Sequence, residues 1–452
     1  MLDPEACSLA DAATAFATGT VSVAEATEHM LERIARANAE IGALTDVLAA
    51  SARREARQAD SGFTGAADTE QAALAGMPLA IKDIIDTTPA RCSAGLAFLH
   101  DYRPQEDAEI VRRLRAAGAV IMGVAATDAG ACGVRTLAVR HPQAPRHIVG
   151  GSSGGAAAAV AAGFALGSIG TDTGGSVRIP AACCSLVGFK PTYGRISTAG
   201  IRPFAASLDH VGAIARRVPD VIAIHEVLDP QLVMPAPRQV PSTLNIGHDP
   251  DYYASATLAV KKAMSALLER LAAAGHRLVE VTLPSPDDAL QSQWTIGTDE
   301  AAAYYFREFP SQLESCPQII QEMLALARTQ CGYEYVQAKW DQAARQARVD
   351  QLYRQVDVIL TPTLPMPTPL RETTEITLAG APCTIDDALL RYTCLFNETG
   401  HPALSMPVTA RDAEGLSISL QLVGKRGGDG GLLAIAAAME QMLDLKFEYP
   451  LI

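Results

Sequence analysis

Positive charge is scarce in this sequence. Its 37 lysine and arginine residues are outnumbered by 50 aspartate and glutamate residues, so the formal net charge is −13 at pH 7. The basic residues also form no run along the chain. A surface that binds nucleic acid usually carries a basic stripe or patch. The composition therefore predicts that nucleic acid is not a partner of this chain.

Long hydrophobic runs are missing as well. The most apolar window, residues 156–170, is short and is interrupted by Gly163, Gly167 and Ser168. A membrane-spanning helix needs a longer apolar stretch, so we expect no membrane contact. The N-terminal segment carries acidic residues and lacks a basic region followed by an apolar stretch. We therefore expect no signal peptide.

Cysteine is present, but not in the patterns that mark disulfide frameworks or metal sites. The nine cysteines are an odd number without C-x-x-C spacing, and Cys183 and Cys184 are adjacent. Reduced thiols of a cytoplasmic protein are the simplest interpretation. No His, Cys and Asp cluster has metal-ligand spacing, and no glycine-rich loop continues into a nucleotide-binding Gly-Lys-Ser/Thr. The sequence therefore predicts neither a metal nor an organic cofactor.

The composition and patterns that are present indicate a folded α/β protein. Hydrophobic residues make up 48% of the 452 residues and charged residues 19%, which is typical of a globular chain. An amphipathic helix is predicted from Val23 to Asn38, after a capping box formed by Ser22 and Glu25. Helices and short apolar strands then alternate through Ile169. This alternation predicts a β-sheet covered by helices.

The most informative region is residues 150–192, which contains two serine loops flanked by glycine. The first is Gly-Gly-Ser-Ser-Gly-Gly at residues 150–155, and the second is Thr-Gly-Gly-Ser at residues 173–176. The alanine-rich segment between them, residues 156–162, predicts a helix that ends at Gly163. Glycine lets a backbone approach a ligand closely, and N–H groups at a helix start attract negative charge. The loops therefore predict a site for an anion or an oxyanion, with plain turns as the alternative.

A lysine in an apolar segment upstream is a candidate base. Lys82 lies within residues 76–85, Gly-Met-Pro-Leu-Ala-Ile-Lys-Asp-Ile-Ile, which predict a buried strand. The alternative is an edge strand from which the lysine reaches solvent. Burial would lower the pKa of the lysine and let it accept a proton that a second serine relays from the nucleophile. The residues then fit a Ser–Lys hydrolase, in which loop N–H groups stabilise the oxyanion.

Taken together, these motifs resemble the amidase signature family of C–N hydrolases. The matching segments are G-M-P-L-A-I-K-D from Gly76, G-G-S-S-G-G from Gly150, G-T-D-T-G-G-S-V-R-I-P-A from Gly170, and G-F-K-P-T from Gly188. The separation of the two serines (176 − 152 = 24) also agrees with the family. Weaker matches extend the resemblance over nearly the whole chain. Biuret-hydrolase-type and carbamate-cleaving enzymes are among the family members that the chain resembles.

The resemblance implies a Ser-Ser-Lys triad. Ser176 is the expected nucleophile, which attacks the carbonyl and becomes acylated. Ser152 is the expected relay residue, which family members hold in a cis peptide, and Lys82 is the expected base. The expected oxyanion hole consists of the backbone N–H groups of Thr173, Gly174, Gly175 and Ser176. No metal and no cofactor are implied.

The resemblance also implies the fold. An α/β fold is expected, with a large mixed β-sheet core flanked by helices, in a single domain that covers residues 1–452. The signature core is expected at about residues 76–212, followed by a proline-rich connection at residues 229–241. The C-terminal part, residues 243–452, is expected to add helices and to rejoin the same sheet.

Two residues beside the triad have alternative interpretations. Ser153 satisfies the G-x-S-x-G pattern of the α/β-hydrolases, so an esterase that uses Ser153 is one alternative, although a structural role is favoured. In some family members the arginine at the position of Arg178 contacts a substrate carboxylate, so Arg178 is a substrate-binding candidate, and Ser153 is a second one. Pairing of Arg178 with Asp172 is the simpler interpretation. His210 and His401 are expected to be structural.

The substrate is left open by the sequence. Residues 124–129 and 140–142 depart from the usual family pattern, and these segments border the pocket in family members. The main expectation is hydrolysis of a small-molecule amide. A carbamate, as hydrolysed by a urethanase, or a urea-type compound is also an option for the substrate, and the protein could form a homodimer. The alternatives are an amidotransferase A-type subunit that acts on charged tRNA with partner proteins, and a non-catalytic anion-binding module.

Overall fold

A mixed β-sheet of eleven strands forms the centre of the computed structural model, which describes residues 7–62, 74–236, 241–411 and 415–444. Two further strands, β10 and β11, form a separate antiparallel hairpin. The strands are β1 (Leu44–Val47), β2 (Pro78–Lys82), β3 (Val120–Ala125), β4 (Gly167–Asp172), β5 (Val187–Lys190), β6 (His210–Ala215), β7 (Asn245–His248), β8 (Arg277–Glu280), β9 (Val358–Pro362), β10 (Glu375–Leu378), β11 (Ala381–Thr384), β12 (Ala403–Arg411) and β13 (Ser417–Val423).

The described residues also form fourteen α-helices, which pack around the sheet. None of these helices is both long and apolar enough to cross a membrane. The helices are α1 (Leu9–Ala17), α2 (Val23–Ile41), α3 (Ala49–Gly62), α4 (Glu109–Ala116), α5 (Gly154–Ala161), α6 (Arg178–Cys183), α7 (Val218–Leu228), α8 (Leu258–Ala273), α9 (Pro286–Glu308), α10 (Gln318–Ala327), α11 (Gly332–Leu352), α12 (Ile385–Leu390), α13 (Cys394–Glu398) and α14 (Asp429–Met442).

The strand order places β2 and β4 side by side near the middle of the sheet. The order is β1-β3-β2-β4-β6-β5-β12-β13-β9-β7-β8. Strand β2 is parallel to both β3 and β4, whereas β4 is antiparallel to β6. Because parallel strands end at the same edge, the segments that follow β2, β3 and β4 meet there. This edge brings Lys82 to the serine loops.

The C-terminal strands complete the same sheet, and the predicted α/β class with a large mixed sheet is confirmed. Strand β12 pairs with β5 of the N-terminal half and with β13, and β13 pairs with β9. The proline-rich connection, residues 229–241, lies between these halves, and its residues 237–240 are outside the described part. That the whole chain forms a single domain stays a prediction.

The sequence pattern predicts a mostly helical section from about Asp299 to Val356, but the helical region begins earlier. Helix α9 starts at Pro286, because the Ser285 hydroxyl caps the helix by accepting a hydrogen bond from the Asp288 N–H. Proline at the first helical position and acidic residues in the first turn also favour a helix start here. The hairpin of β10 and β11 was not predicted, since its strands have only four residues each and are mostly exposed.

The alanine-rich helix α5 is buried along its whole length. Each of its residues has close to zero exposed surface. Such close packing requires small side chains, and Gly155 shows why. A Cβ atom added at Gly155 would lie 2.4 Å from the Ala126 N atom and 2.6 Å from the Ala43 O atom. Both contacts are with backbone atoms. A larger residue at position 155 would therefore push α5 away from these segments.

We expect Gly155→Ala to lower the melting temperature of the protein. Alanine normally favours a helix by about 1 kcal/mol over glycine, but here the added methyl group forces backbone atoms apart. Gly431→Ala in α14 is the matched control, because Gly431 is exposed and an added Cβ would meet nothing within 4 Å. Thermal unfolding monitored by circular dichroism should show a lower midpoint for the first variant and an equal or higher one for the second. Equal midpoints for both variants would contradict the packing argument.

Candidate active site

Lys82 lies at the end of β2, and its side chain has no exposed surface. Its Nζ atom is 2.8 Å from Ser152 Oγ and 2.8 Å from Thr171 Oγ1. Thr171 belongs to β4, the parallel neighbour of β2, so the two strands present their side chains to each other. The buried-strand interpretation of Lys82 holds, and the edge-strand alternative does not.

Burial lowers the pKa of Lys82 to about 7. Removal of the ammonium group from water disfavours its charged form, and the nearby carboxylates of Asp128, Asp209 and Asp172 oppose this effect in part. The side chain therefore titrates near neutral pH. A neutral amine at this position has a lone pair that can accept a proton from the Ser152 hydroxyl.

Ser152 is fixed through its backbone. The Gly151–Ser152 peptide bond is cis, as the family resemblance implies. The Thr127 hydroxyl donates a hydrogen bond to the Ser152 carbonyl oxygen at 2.9 Å. A Cβ atom at Gly151 would come within 2.2 Å of the Asp128 carboxylate, so only glycine fits before the serine. These contacts aim the Ser152 side chain at Lys82.

Ser176 lies in the loop between β4 and α6, close to the Ser152 loop. The N–H of Ser153 donates a hydrogen bond to the Ser176 carbonyl oxygen at 3.2 Å, which joins the two loops directly. The Asp172 carboxylate accepts a hydrogen bond from the Val177 N–H at 3.1 Å. The Ser176 residue keeps 5% of its surface exposed. It is therefore held from both sides and largely buried.

The loop from Thr173 to Ser176 turns its carbonyl groups toward two side chains of the C-terminal half. Gln293 Nε2 donates to the Thr173 carbonyl oxygen at 3.1 Å, and Thr393 Oγ1 donates to the Gly174 carbonyl oxygen at 2.5 Å. Among the described residues, the N–H groups of Gly174, Gly175 and Ser176 have no hydrogen-bond partner. Because the N–H and C=O of a peptide point in opposite directions, the N–H groups of Gly174 and Gly175 face away from the two side chains and suit an oxyanion.

Arg178 is completely buried, and its five N–H donors make five hydrogen bonds. Two of them form an ion pair with the Asp172 carboxylate, in which Nη2 lies 2.8 Å from Oδ1. Burial alone would raise the pKa of Asp172, but the guanidinium group lowers it below its usual value. The remaining donors meet the Thr393 carbonyl, Gln421 and Asn397. This arrangement favours the structural alternative for Arg178 over contact with a substrate carboxylate.

The side chains of Ser153 and His210 are also buried and hydrogen-bonded. The Ser153 hydroxyl donates to the Thr171 carbonyl oxygen at 3.1 Å, and the residue has no exposed surface. This position favours a structural role over both the esterase alternative and substrate binding. His210 Nδ1 lies 2.7 Å from the Leu208 carbonyl oxygen, and burial lowers the pKa of its imidazole. Both side chains support the catalytic loops.

His401 is buried and contacts Thr399, with 3.0 Å between His401 Nδ1 and Thr399 Oγ1. Within the described ranges, no group of three or more His, Cys, Asp or Glu side chains is arranged to hold a metal ion.

Several residues that shape the site were not singled out from the sequence. Thr171 lies inside a recognised motif, two residues before the oxyanion loop, so its alternation along β4 was the available signal. Asp209 accepts a hydrogen bond from Thr173 Oγ1 at 2.6 Å, and burial raises its pKa to about 6. Gln293 and Thr393 come from distant helical segments, and nothing in the sequence pattern connects them to the loop.

A cavity of about 190 Å³ adjoins the Lys82 side of the site. Thr171 and Asp209 form part of its wall, and both touch groups of the site itself. Apolar side chains form much of the rest, including Ile84, Ile201 and Phe204. The cavity provides a partly apolar space beside the reactive groups.

Comparison with known proteins identifies relatives over nearly the full chain. The family model described as Amidase matches residues 25–433. The A subunit of the glutamyl-tRNA(Gln) amidotransferase of Roseiflexus castenholzii is 34% identical, with 98% of this chain and 97% of the relative covered. A solved structure described as an amidase is 31% identical, with a TM-score of 0.88 and with 97% of this chain and 100% of that chain covered. The solved structure of the A subunit of the Thermotoga maritima amidotransferase is 25% identical, with a TM-score of 0.80 and coverage of 100% and 98%.

These relatives overturn one expectation from the sequence. A small-molecule amide-type substrate without nucleic acid was expected, with a homodimer as an option, and the acidic net charge was the argument against nucleic acid. The relatives named above include A subunits of glutamyl-tRNA(Gln) amidotransferases, so the expectation of a small-molecule substrate without nucleic acid is wrong. The physical reason is that net charge is a sum over the chain, whereas contact with nucleic acid depends on local patches and on other subunits.

The family model covers far more than half of the chain, and the named relatives align with it almost from end to end. The fold and the motifs agree with this match. The chain belongs to the amidase family, whose members act on C–N bonds.

Proposed function

We propose that this protein hydrolyses a carboxamide through a triad of Lys82, Ser152 and Ser176. The observation that carries the proposal is the distance of 2.8 Å between Lys82 Nζ and Ser152 Oγ. The Lys82 side chain is completely buried at this position. A pKa of about 7 for Lys82 supports it further, because a general base works best when its pKa is close to the working pH.

The proposed reaction begins with transfer of a proton from Ser152 to the neutral Lys82 amine. Ser152 takes the proton of the Ser176 hydroxyl at the same time, and the Ser176 oxygen attacks the amide carbonyl. The N–H groups of Gly174, Gly175 and Ser176 stabilise the resulting oxyanion, with the Thr173 N–H as a further candidate.

The proton returns from Lys82 through Ser152 to the leaving nitrogen, and a primary amide releases ammonia. Water then attacks the acyl-enzyme by the same relay, which yields a carboxylic acid and the free Ser176 hydroxyl. In sum, one amide and one water give one acid and one ammonia. All proton transfers use groups that lie within the site.

The finer proposal is that the released ammonia serves an amidotransferase that acts on glutamyl-tRNA(Gln), with this chain as its A-type subunit. Identity of 34% over almost the full length of both chains supports this assignment. The amide would then be the side-chain carboxamide of glutamine. Urea-type and carbamate substrates have no comparable support among the named relatives.

Loss of the serine hydroxyls should separate the three candidate serines. We expect Ser176→Ala to lower kcat/KM for amide hydrolysis by about 10³-fold or more, and Ser152→Ala by about 10²-fold or more. Ser153→Ala removes only a hydrogen bond to a backbone carbonyl, so its loss should be far smaller. Ammonia release and labelling by a fluorophosphonate probe measure the effect. Full labelling of the Ser176→Ala variant would contradict its role as nucleophile.

The rate should depend on the protonation of Lys82. Since the protonated amine cannot accept a proton, kcat/KM should rise about tenfold per pH unit below pH 7 and level off above it. The sign follows from the lowered pKa: the active, neutral form is the one that gains population as the pH rises. Rates measured between pH 5 and 9 test this prediction. A flat profile over that range, with chemistry limiting, would contradict Lys82 as the base.

The amidotransferase assignment has its own test. The chain, co-purified with the other subunits of such an enzyme, should convert glutamyl-tRNA(Gln) to glutaminyl-tRNA(Gln) with glutamine as the ammonia donor. The same preparation with Ser176→Ala should do so only when free ammonium is added. The assignment would be contradicted if ammonia were released at the same rate with or without those subunits and the charged tRNA, and if no glutaminyl-tRNA(Gln) formed. That result would not affect the proposed triad.

A further inference from the structure

Arg202 contributes a positively charged side chain to the wall of the cavity beside Lys82. It is one of the residues that line this cavity of about 190 Å³. Its backbone is fixed, because the Arg202 N–H donates to the Ile84 carbonyl oxygen at 3.0 Å. The Arg202 side chain is 14% exposed. The charge is therefore largely withdrawn from bulk water, and a ligand that enters the cavity meets it.

Most of the hydrogen-bonding capacity of the Arg202 guanidinium group is unused. Such a group offers five N–H donors. Within the described part of the chain, those of Arg202 make one hydrogen bond, a long one of 3.3 Å from Nη1 to Asp86 Oδ1. The Cζ atom also lies 4.2 Å from the centre of the Tyr102 ring. A cation–π contact of this kind draws on the positive charge, so N–H donors remain for a further acceptor.

The pair of Arg202 with Asp86 is weaker than the other arginine–aspartate pair near the site. Burial raises the pKa of Asp86 above its usual value, and the nearby guanidinium group offsets this only in part. In the Asp172–Arg178 pair, by contrast, the guanidinium group lowers the pKa of the carboxyl below its usual value, and all five arginine donors are used. Arg202 therefore keeps the capacity to bind a second anion, whereas Arg178 does not.

The rest of the cavity wall leaves Arg202 as its cation. Asp209 is the other residue on the described wall that carries a charge at neutral pH. Both of its carboxylate oxygens already accept hydrogen bonds, from the Thr173 hydroxyl and from two backbone N–H groups. His210 is neutral, since burial holds the pKa of its imidazole well below the usual value. The unused donors of Arg202 are thus the feature of this wall that favours a charged ligand.

We propose that this cavity binds a small carboxylate, which Arg202 holds through its free N–H donors. The planar fork of a guanidinium group matches the two oxygens of a carboxylate, and a cavity of about 150 Å³ is large enough for benzene, so a small carboxylic acid fits. Thr171 lines the same cavity and contacts Lys82 Nζ at 2.8 Å, so the ligand lies beside the proposed base. The carboxylate belongs either to the amide substrate itself or to a separate carboxylic acid.

Binding of succinate to the full chain tests the site without any use of the proposed reaction. We expect isothermal titration calorimetry at pH 8 to show a Kd that Arg202→Met raises by about tenfold or more, because hydrogen bonds to a charged group are lost. Arg202→Lys keeps the charge without the fork and should raise the Kd by a smaller factor. Arg112→Met is the control, since Arg112 is 54% exposed on α4 and does not line the cavity. No succinate binding by the wild type, or an unchanged Kd in both Arg202 variants, would overturn the proposal.

Kinetics with two amides of similar shape identify the source of the carboxylate. Succinamate carries a carboxylate where 4-methylpentanamide carries an isopropyl group. If the carboxylate belongs to the substrate, Arg202→Met lowers the succinamate-to-4-methylpentanamide ratio of kcat/KM by about tenfold, and succinate inhibits competitively. If it belongs to a separate acid, the ratio stays the same and succinate inhibition is not competitive. Failure of the wild type to hydrolyse either amide would count against the proposed function and leave the calorimetric result unaffected.

Discussion

Burial of one amino group is the constraint on which the site depends. Lys82 Nζ is enclosed at the edge where β2 and β4 end, and its two nearest partners are hydroxyl groups rather than carboxylates. A direct ion pair would keep the lysine charged, whereas hydroxyl partners satisfy it without fixing the proton. Parallel pairing of β2 and β4, the small residues of α5 and the threonine contacts to Ser152 are all needed to maintain this arrangement.

The loop that carries Ser176 is stabilised by a separate polar network. The Asp172–Arg178 ion pair lies beneath the loop, and its carboxylate also accepts N–H groups from the start of α6. Breaking such a pair by removing one partner leaves an uncompensated buried charge, so this network favours one loop conformation. Its other partners, Asn397 and Gln421, come from the C-terminal half. Residues from both halves of the chain therefore determine the position of Ser176.

Local motifs made the α/β sheet, and the approach of Lys82 to the serine loops, predictable from the sequence. Lys82, Ser152 and Ser176 each lie in a segment with a recognisable pattern of glycine, alanine or apolar neighbours. Gln293 and Thr393 do not, because their importance comes from tertiary contacts that carry no local periodicity. Net charge was misleading about partners, since it does not report on surfaces that other subunits supply. The hairpin of β10 and β11 was missed because its strands are only four residues long and mostly exposed.

A pKa of about 7 means that Lys82 should exist in large part as a neutral amine at physiological pH. Titration of the protein labelled with [ε-¹³C]lysine, followed by NMR and assigned with the Lys82→Met variant, measures this directly. We expect the Lys82 resonance to titrate with a pKa of about 7, well below the value of 10.5 for an ordinary lysine. A midpoint near 10.5 would contradict the account, because the amine would then remain charged and could not start the proton relay.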